Sequence, residues 1–422
     1  MINKLKSRTY DFLRWSQKYT GTDNVYLAKG GFWLTLGQII SAGASFLLAI
    51  AFANLLDPVT YGNYKYIISI VGILGIFSLS GMGTAITQAV ARGLEGSFYT
   101  GFKTKLKWSL LGSLAAIGGA VYYWLRGNDL LPIPLLISAI FLPLMQASQI
   151  YGSFLTGKKL FNAKVKYSSF SQIISVVVII AALFLTKNLF WLIAVYLISH
   201  TILNFFFYWF TQKRFQPNKK EDSQTLLYGK HLSLMDVLST TSAYIDKILL
   251  FTLVGSTQLA IYSFAIIIPD QINSILKNIN TLALPKLSTK SLDQTRSTLI
   301  SKIKKMLLIL IPIVIVYWIA APHIYKIFFP QYGDSIPYSR LLMLSLVTVL
   351  TSLIVTAFQS QMMKRELYLT KLFSLVQIFL LVVLIPLIGI WGAVYAILCS
   401  KILNFFFVFY LFIKNFSKSN SY

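Results

Sequence analysis

The chain has 422 residues and a formal net charge of +25, yet only 12% of its residues are charged and 56% are hydrophobic. A soluble protein carries about 25% charged residues, so this composition excludes an ordinary water-soluble fold and favours the bilayer as solvent. The excess of lysine and arginine does not require nucleic acid as a partner, because basic residues collect in the cytoplasmic loops of membrane proteins.

The predicted elements begin with a cytoplasmic segment, 1–31, that lacks a continuous apolar stretch and therefore predicts no cleavable signal peptide. Phe12, Leu13 and Trp15 lie among basic residues, which is typical of a segment lying at the membrane interface. A membrane-spanning helix needs about 20 mostly apolar residues. That criterion predicts twelve spans, at 32–56, 66–90, 108–125, 133–156, 167–186, 188–211, 231–253, 259–284, 306–328, 341–361, 372–388 and 390–413.

These spans predict an all-α polytopic membrane protein with two six-helix bundles. The N-terminal bundle covers 32–211 and the C-terminal bundle covers 231–413. A cytoplasmic linker, 212–230, joins them, and a cytoplasmic tail, 414–422, ends the chain.

The basic residues alternate between the loops as this arrangement requires. With both ends inside, the inside segments hold 30 lysines and arginines and the outside segments hold five, among them Lys65. Such an asymmetry predicts that both termini face the cytoplasm.

The two bundles also repeat a sequence. Residues 202–207, Ile-Leu-Asn-Phe-Phe-Phe, recur at 402–407, and Trp191 and Trp391 share the same offset. Because each bundle has an even number of helices, the repeat predicts two parallel halves related by an axis along the membrane normal.

Span eight carries polar residues at bilayer depth, where a charge usually faces a cavity or a partner. Asp270, Asn273, Lys277 and Asn280 fall on one helical face, directly after Pro269. This face either lines a cavity or forms an internal Asp–Lys pair that holds helices together.

Spans seven and twelve add further charges. Asp236 and Lys247 share a face of span seven, whereas Asp246 points about 100° away from Lys247. Lys401 lies near the centre of span twelve. Exposed ammonium groups in a low-dielectric cavity attract anions, phosphate in particular. We therefore predict substrate binding by Lys247, Lys277, Lys401, Asn273 and Asn280, and ion coupling by Asp270, Asp246 and Asp236.

No cofactor or metal is expected. The three histidines have no metal-ligand spacing, and no phosphate-binding loop of the Gly-x-x-x-x-Gly-Lys-Ser/Thr type occurs. Energy for transport would come from ions or membrane potential, from a partner, or from consumption of the product outside.

Four segments resemble Wzx-type polysaccharide flippases, whose superfamily includes multidrug exporters and lipid II flippases. They are 55–64, the Ser-Gly-Met-Gly-Thr-Ala stretch at 80–85, 244–250 and 260–263. The resemblance covers essentially the whole chain, and the Asp246–Lys247 pair matches the pattern best.

This resemblance implies translocation of undecaprenyl-pyrophosphate-linked oligosaccharide across the bacterial inner membrane, for O-antigen, capsule or exopolysaccharide synthesis. Membrane lipids, a polysaccharide polymerase and a chain-length regulator would then be partners. Three alternatives stay open: an exporter of small amphiphilic molecules on the same fold, a membrane enzyme, and a structural or anchoring protein. The short outside loops disfavour the enzyme, because they offer only isolated acids such as Asp129 and Asp334.

Overall fold

A computed structural model describes residues 24–281, 292–361 and 363–416, and the described residues fold into α-helices with short 3₁₀ turns. The predicted interfacial segment falls largely outside the described residues, since the first helix begins at Asn24. We number the helices α1 Asn24–Leu55, α2 Pro58–Leu74, α3 Met82–Ala91, α4 Ser97–Leu125, α5 Pro132–Ser148, α6 Ile150–Gly157, α7 Phe161–Leu185, α8 Leu189–Phe215, α9 Ser223–Leu253, α10 Ser256–Thr281, α11 Leu292–Phe328, α12 Ile336–Leu342, α13 Val347–Ser360, α14 Lys364–Ile388 and α15 Ile390–Phe416.

Ten helical segments in the described ranges are long and apolar enough to cross a membrane, and a bent pair makes an eleventh. They coincide with eleven of the twelve predicted spans. The remaining predicted span, 231–253, lies in α9, a 31-residue helix that is long enough but more polar. We call the end with the turns after Leu55 and Leu253 the outer end, following the charge prediction, and the opposite end the inner end.

The second span is broken. Helix α2 continues as a 3₁₀ turn to Ser78, and α3 begins at Met82 at an angle of 48°. Leu79 between them has a left-handed backbone, φ 56°, which ends the first segment. At its other end, Asp57 accepts a hydrogen bond from Thr60 N at 2.9 Å, and Pro58 occupies the first helical position. These two start signals begin the helix eight residues before the predicted span at 66–90.

The linker between the halves is shorter than the predicted 212–230. Helix α8 ends at Phe215, and Asp222 starts α9 by accepting a hydrogen bond from Gln224 N at 2.9 Å. The connection also docks on the first half, because Asn218 donates to Gly93 O at 3.0 Å and its backbone N donates to Glu95 at 3.1 Å.

The two halves meet along the broken span. Near the outer end, Gly62 lies so close to Ser256 that a Cβ atom there would fall 2.0 Å from the Ser256 carbonyl oxygen. Near the inner end, Gly81 N donates to Ser233 Oγ at 3.1 Å. Between them, Gln38 donates to Ser274 Oγ at 2.6 Å. The halves are therefore in contact at both ends of the molecule.

Candidate functional site

A cavity of about 320 Å³ lies inside the second half, and every residue that lines it comes from 239–401. Its charged lining consists of Asp246 and Lys247 from α9, Asp270 from α10 and Lys401 from α15. Four of the eight predicted site residues therefore come together in one place. Neutral polar side chains surround them, including Ser242, Ser345, Ser374 and Gln377.

Asp246 is held in place on three sides. Its side chain is buried, and it accepts a hydrogen bond from the Tyr262 hydroxyl at 2.6 Å. The backbone N of Lys247 donates to it at 2.8 Å, and Lys247 Nζ lies 3.2 Å from both carboxylate oxygens. Asp246 points away from Lys247 at the backbone, as predicted, and so reaches Tyr262 on the neighbouring helix α10. The Lys247 side chain is long enough to bend back to the Asp246 carboxylate.

The Lys247 ammonium group has other contacts besides Asp246. Its ammonium donates to Ala243 O at 3.1 Å and lies 5.9 Å from the centre of the Tyr244 ring. Only 18% of its side chain is exposed. If Asp246 moved away, the Lys247 ammonium group would be a nearly buried charge without an acidic partner. An incoming anion can therefore replace Asp246 only if it pairs with Lys247 itself.

Asp270 is the exposed acid of the cavity. It follows Pro269, and within the described residues its carboxylate forms no hydrogen bond or ion pair. Lys277, its predicted partner, lies seven residues further along α10. The side chains of Lys277 and Asn280 lie outside the described part of the structure.

Asn273 shares a helical face with Asp270, but its amide turns away from the cavity. It donates to Thr348 Oγ at 2.9 Å and accepts from the same hydroxyl at 3.0 Å. Asn273 is buried, and this reciprocal pair ties α10 to α13.

Asp236 lies away from the cavity, towards the inner end. It accepts from Lys371 Nζ at 2.5 Å and from Ser80 Oγ at 3.3 Å. Ser80 belongs to the break between α2 and α3, so Asp236 connects the broken span of the first half to α9 and α14 of the second.

Lys65 is the site residue that the sequence analysis missed. The charge count put it in an outside loop, whereas it lies in the second turn of α2 and is half-buried. It interacts electrostatically with Lys247, Asp246 and Asp270. The signal that could have placed it is the Asp57–Pro58 pair, because these residues favour the start of a helix and put Lys65 inside the membrane.

Lys247 and Lys401 line the cavity together with Asp246 and Asp270, and Lys65 of the first half lies near enough to interact electrostatically with Lys247 and both acids. An anion bound beside Lys247 would release Asp246 from the ammonium group that now contacts it. The arrangement therefore allows an external acid to take the place of Asp246 beside Lys247.

Over the described residues, ten or eleven helical segments long enough to cross a membrane, with a charged cavity in the second half, define a polytopic membrane protein. The model for the family described as polysaccharide biosynthesis protein matches residues 27–288, and the chain belongs to that family. No curated protein sequence is significantly similar to it.

Solved structures share the fold at low sequence identity. The lipid II flippase MurJ in an inward closed conformation has 15% identity and a TM-score of 0.68, over 93% of this chain and 89% of its own. An inward-facing multidrug resistance MATE family transporter of the MOP superfamily has 15% identity and a TM-score of 0.65, over 94% and 99%. A MOP superfamily transporter from Pyrococcus furiosus has 16% identity and a TM-score of 0.60, over 93% and 97%.

The family match and the shared fold confirm the predicted all-α, multi-pass architecture, and this fold is the one found in the MATE transporter and the lipid II flippase.

Proposed function

We propose that the protein translocates undecaprenyl-pyrophosphate-linked oligosaccharide repeat units across the bacterial inner membrane, for O-antigen, capsule or exopolysaccharide synthesis. The observation that carries this proposal is the meeting of Lys247 and Lys401 with Asp246 and Asp270 in one intramembrane cavity. A pyrophosphate is a compact anion that such ammonium groups would bind, while the prenyl chain stays in lipid.

Translocation would proceed by alternating access. A headgroup of several sugars is too large for a cavity of about 320 Å³, so the contacts between the halves must open on one side and then on the other. Those contacts are the close approach of Gly62 to Ser256 and the hydrogen bonds of Ser80 and Gly81 to α9. A ligand drives such a cycle only if it binds the two orientations unequally.

Lys247 and Lys401 would bind the pyrophosphate, together with Lys65 and Lys277. Asn273 and Asn280 would support α10 and the sugars near it. Asp246 and Asp270 would balance the cations when the site is empty and couple it to protons, and Asp236 would link the same cycle to closure at the inner end. A polysaccharide polymerase and a chain-length regulator would take the product outside.

The test is transport by the purified protein in vesicles that carry a fluorescent undecaprenyl-pyrophosphate-linked oligosaccharide. The double variant Lys247→Ala, Lys401→Ala should lose at least about tenfold in rate, because each charge-assisted contact contributes about 1.5 kcal/mol or more. Lys247→Arg should keep more activity, since the charge remains.

The matched control is Lys187→Ala, Lys326→Ala, which removes two exposed lysines outside the site. It should transport like the wild type. Normal transport by the Lys247, Lys401 double variant would contradict the anion site.

The second candidate is an exporter of small amphiphilic molecules, favoured by the acidic lining that Asp246 and Asp270 give the cavity. A cavity near the lower limit for drug-sized ligands would suit such a substrate. Uptake of a cationic dye by the same vesicles, with no translocation of the lipid-linked oligosaccharide, would decide for the exporter.

A further inference from the structure

Three tyrosines meet where the two halves face each other beside the cavity. Tyr64 comes from α2 and Tyr196 from α8, and their ring centres are 6.4 Å apart at an angle of 88°. Tyr244 comes from α9 of the second half and lies close enough to Tyr196 for the two phenols to interact electrostatically. The Tyr244 ring covers Gly72, where a Cβ atom would fall 2.4 Å from the ring.

The hydroxyl groups of these tyrosines have no partner within the described residues. Two neighbouring tyrosines of the second half do have partners: Tyr262 donates to Asp246 at 2.6 Å, and Tyr325 donates to the Phe264 carbonyl oxygen at 3.0 Å. A phenol in a membrane interior usually finds a hydrogen-bond partner. Three unpaired phenols from three helices therefore indicate a ligand that carries several hydroxyl groups.

The tyrosines lie at the depth of the cavity cations. Tyr64, Tyr196 and Tyr244 are six, seven and nine residues from the outer ends of their helices, which at 1.5 Å per residue is about 9 to 14 Å. Lys247 lies in the same layer, 5.9 Å from the centre of the Tyr244 ring. Tyr196 and Tyr244 are half-buried, so part of each side chain remains accessible.

We propose that Tyr196 and Tyr244, with the buried Tyr64 packed against Tyr196, form a subsite for the sugar that is attached directly to the pyrophosphate. This inference rests on the proposed function and adds the residues that recognise the first sugar of the glycan. A pyranose has an apolar C–H face that can stack on an aromatic ring, and a rim of hydroxyl groups that phenols can meet as donors or acceptors. With the phosphates on Lys247, the first sugar lies against Tyr244.

The alternative is that the tyrosines only pack the halves together. Packing would depend on the rings and would not distinguish a lipid with a sugar from one without. A sugar subsite predicts that distinction, and it predicts that the phenol oxygens matter even when the rings remain.

The test measures binding by native mass spectrometry of the protein in nanodiscs, with two probes: undecaprenyl pyrophosphate and undecaprenyl-pyrophosphoryl-N-acetylglucosamine. The wild type should bind the sugar-bearing lipid about tenfold more tightly, the effect of a few added hydrogen bonds and one stacked ring. Tyr244→Leu and Tyr196→Leu should bring this ratio close to one, with the larger loss of affinity for the sugar-bearing lipid.

Tyr244→Phe and Tyr196→Phe guard against misfolding, since they keep the ring and should each lower the ratio about threefold through one lost hydrogen bond. The matched control is Tyr410→Leu on α15, whose side chain is 58% exposed and lies outside the subsite.

The outcomes separate the two proposals. Equal wild-type affinity for both lipids, or a preference that survives the tyrosine variants, would overturn the sugar subsite and leave the anion site standing. If the wild type binds neither lipid, the proposed function fails and the sugar subsite fails with it.

Discussion

The two halves share a repeated architecture but not the same charges. At the offsets of the repeat, 198 to 200 residues, Asp246 and Lys247 correspond to Leu48 and Ala49, and Asp270 corresponds to Gly72. Lys401 corresponds to Thr201. The first half thus has neutral residues wherever the second half has a cavity charge.

The difference assigns separate tasks to similar bundles. The second half holds the charges, while the first half presents Lys65, two tyrosines and the small residues that allow close contact, such as Gly62. A second set of cavity acids in the first half would be a second desolvated site, which is costly in a membrane. Both acids of the cavity belong to the second half.

The largest effect expected from this comparison concerns Lys401 and its counterpart. Lys401→Thr should reduce surface polymer export by at least about tenfold, the loss of a contact of about 1.5 kcal/mol. Combining it with Thr201→Lys, which places the charge in the first half, should not restore export, because no acid of the cavity belongs to that half.

Export is measured by surface polymer in a strain that lacks its own copy of the gene, with the amount of protein in the membrane as the control. Thr201→Lys alone shows whether the first half tolerates the charge. Rescue by the exchanged pair would mean that the halves are functionally equivalent.

A smaller effect is expected at Asp270, whose counterpart Gly72 cannot carry a proton. Asp270→Asn keeps the shape of the protonated side chain, so the variant should still bind and move the lipid-linked oligosaccharide. It should lose the response of transport to a pH gradient, because the exposed acid of the cavity is gone.

The measurement is transport in vesicles with and without a pH gradient, for the wild type and Asp270→Asn. Asp129→Asn is the matched control, since Asp129 is an exposed acid that does not line the cavity. A wild type without a gradient response, or a variant with a full one, would show that Asp270 does not couple protons.

Much of the architecture could be predicted from the sequence, because apolar length and loop charge act locally along the chain. Helical faces were less informative. Asp270 and Asn273 share a face, yet one lines the cavity and the other binds Thr348. A face gives the direction of a side chain from its own helix, but the neighbour it meets depends on how distant helices pack. For the same reason, the hydrogen bond from Ser80 to Asp236 could not be predicted from the sequence.

The smallest effect concerns the inner end of the first half, where Glu95 fastens the linker. It accepts from Lys158 Nζ at 2.5 Å and from Asn218 N at 3.1 Å. Burial raises the pKa of the Glu95 carboxyl, but the hydrogen bonds from Lys158 and Asn218 outweigh burial and hold it below its ordinary value of 4.5. The ionised form is therefore the one that stabilises the fold.

Because the folded pKa is depressed, this stabilisation is complete above pH 4.5 and is lost as the pH falls through the lowered value. Glu95→Gln should lower the free energy of unfolding by about 1 kcal/mol at neutral pH, the size of one partly exposed charged contact. The difference from the wild type should shrink as the pH falls below 4. Thermal unfolding of the purified protein in detergent, followed by circular dichroism between pH 3 and pH 7, measures both quantities.

Lys158→Gln and the double variant complete a cycle, and the two single effects should not add, because they remove the same contact. Additive losses, or a Glu95→Gln effect that is constant with pH, would show that the linker is fastened by packing rather than by this carboxylate.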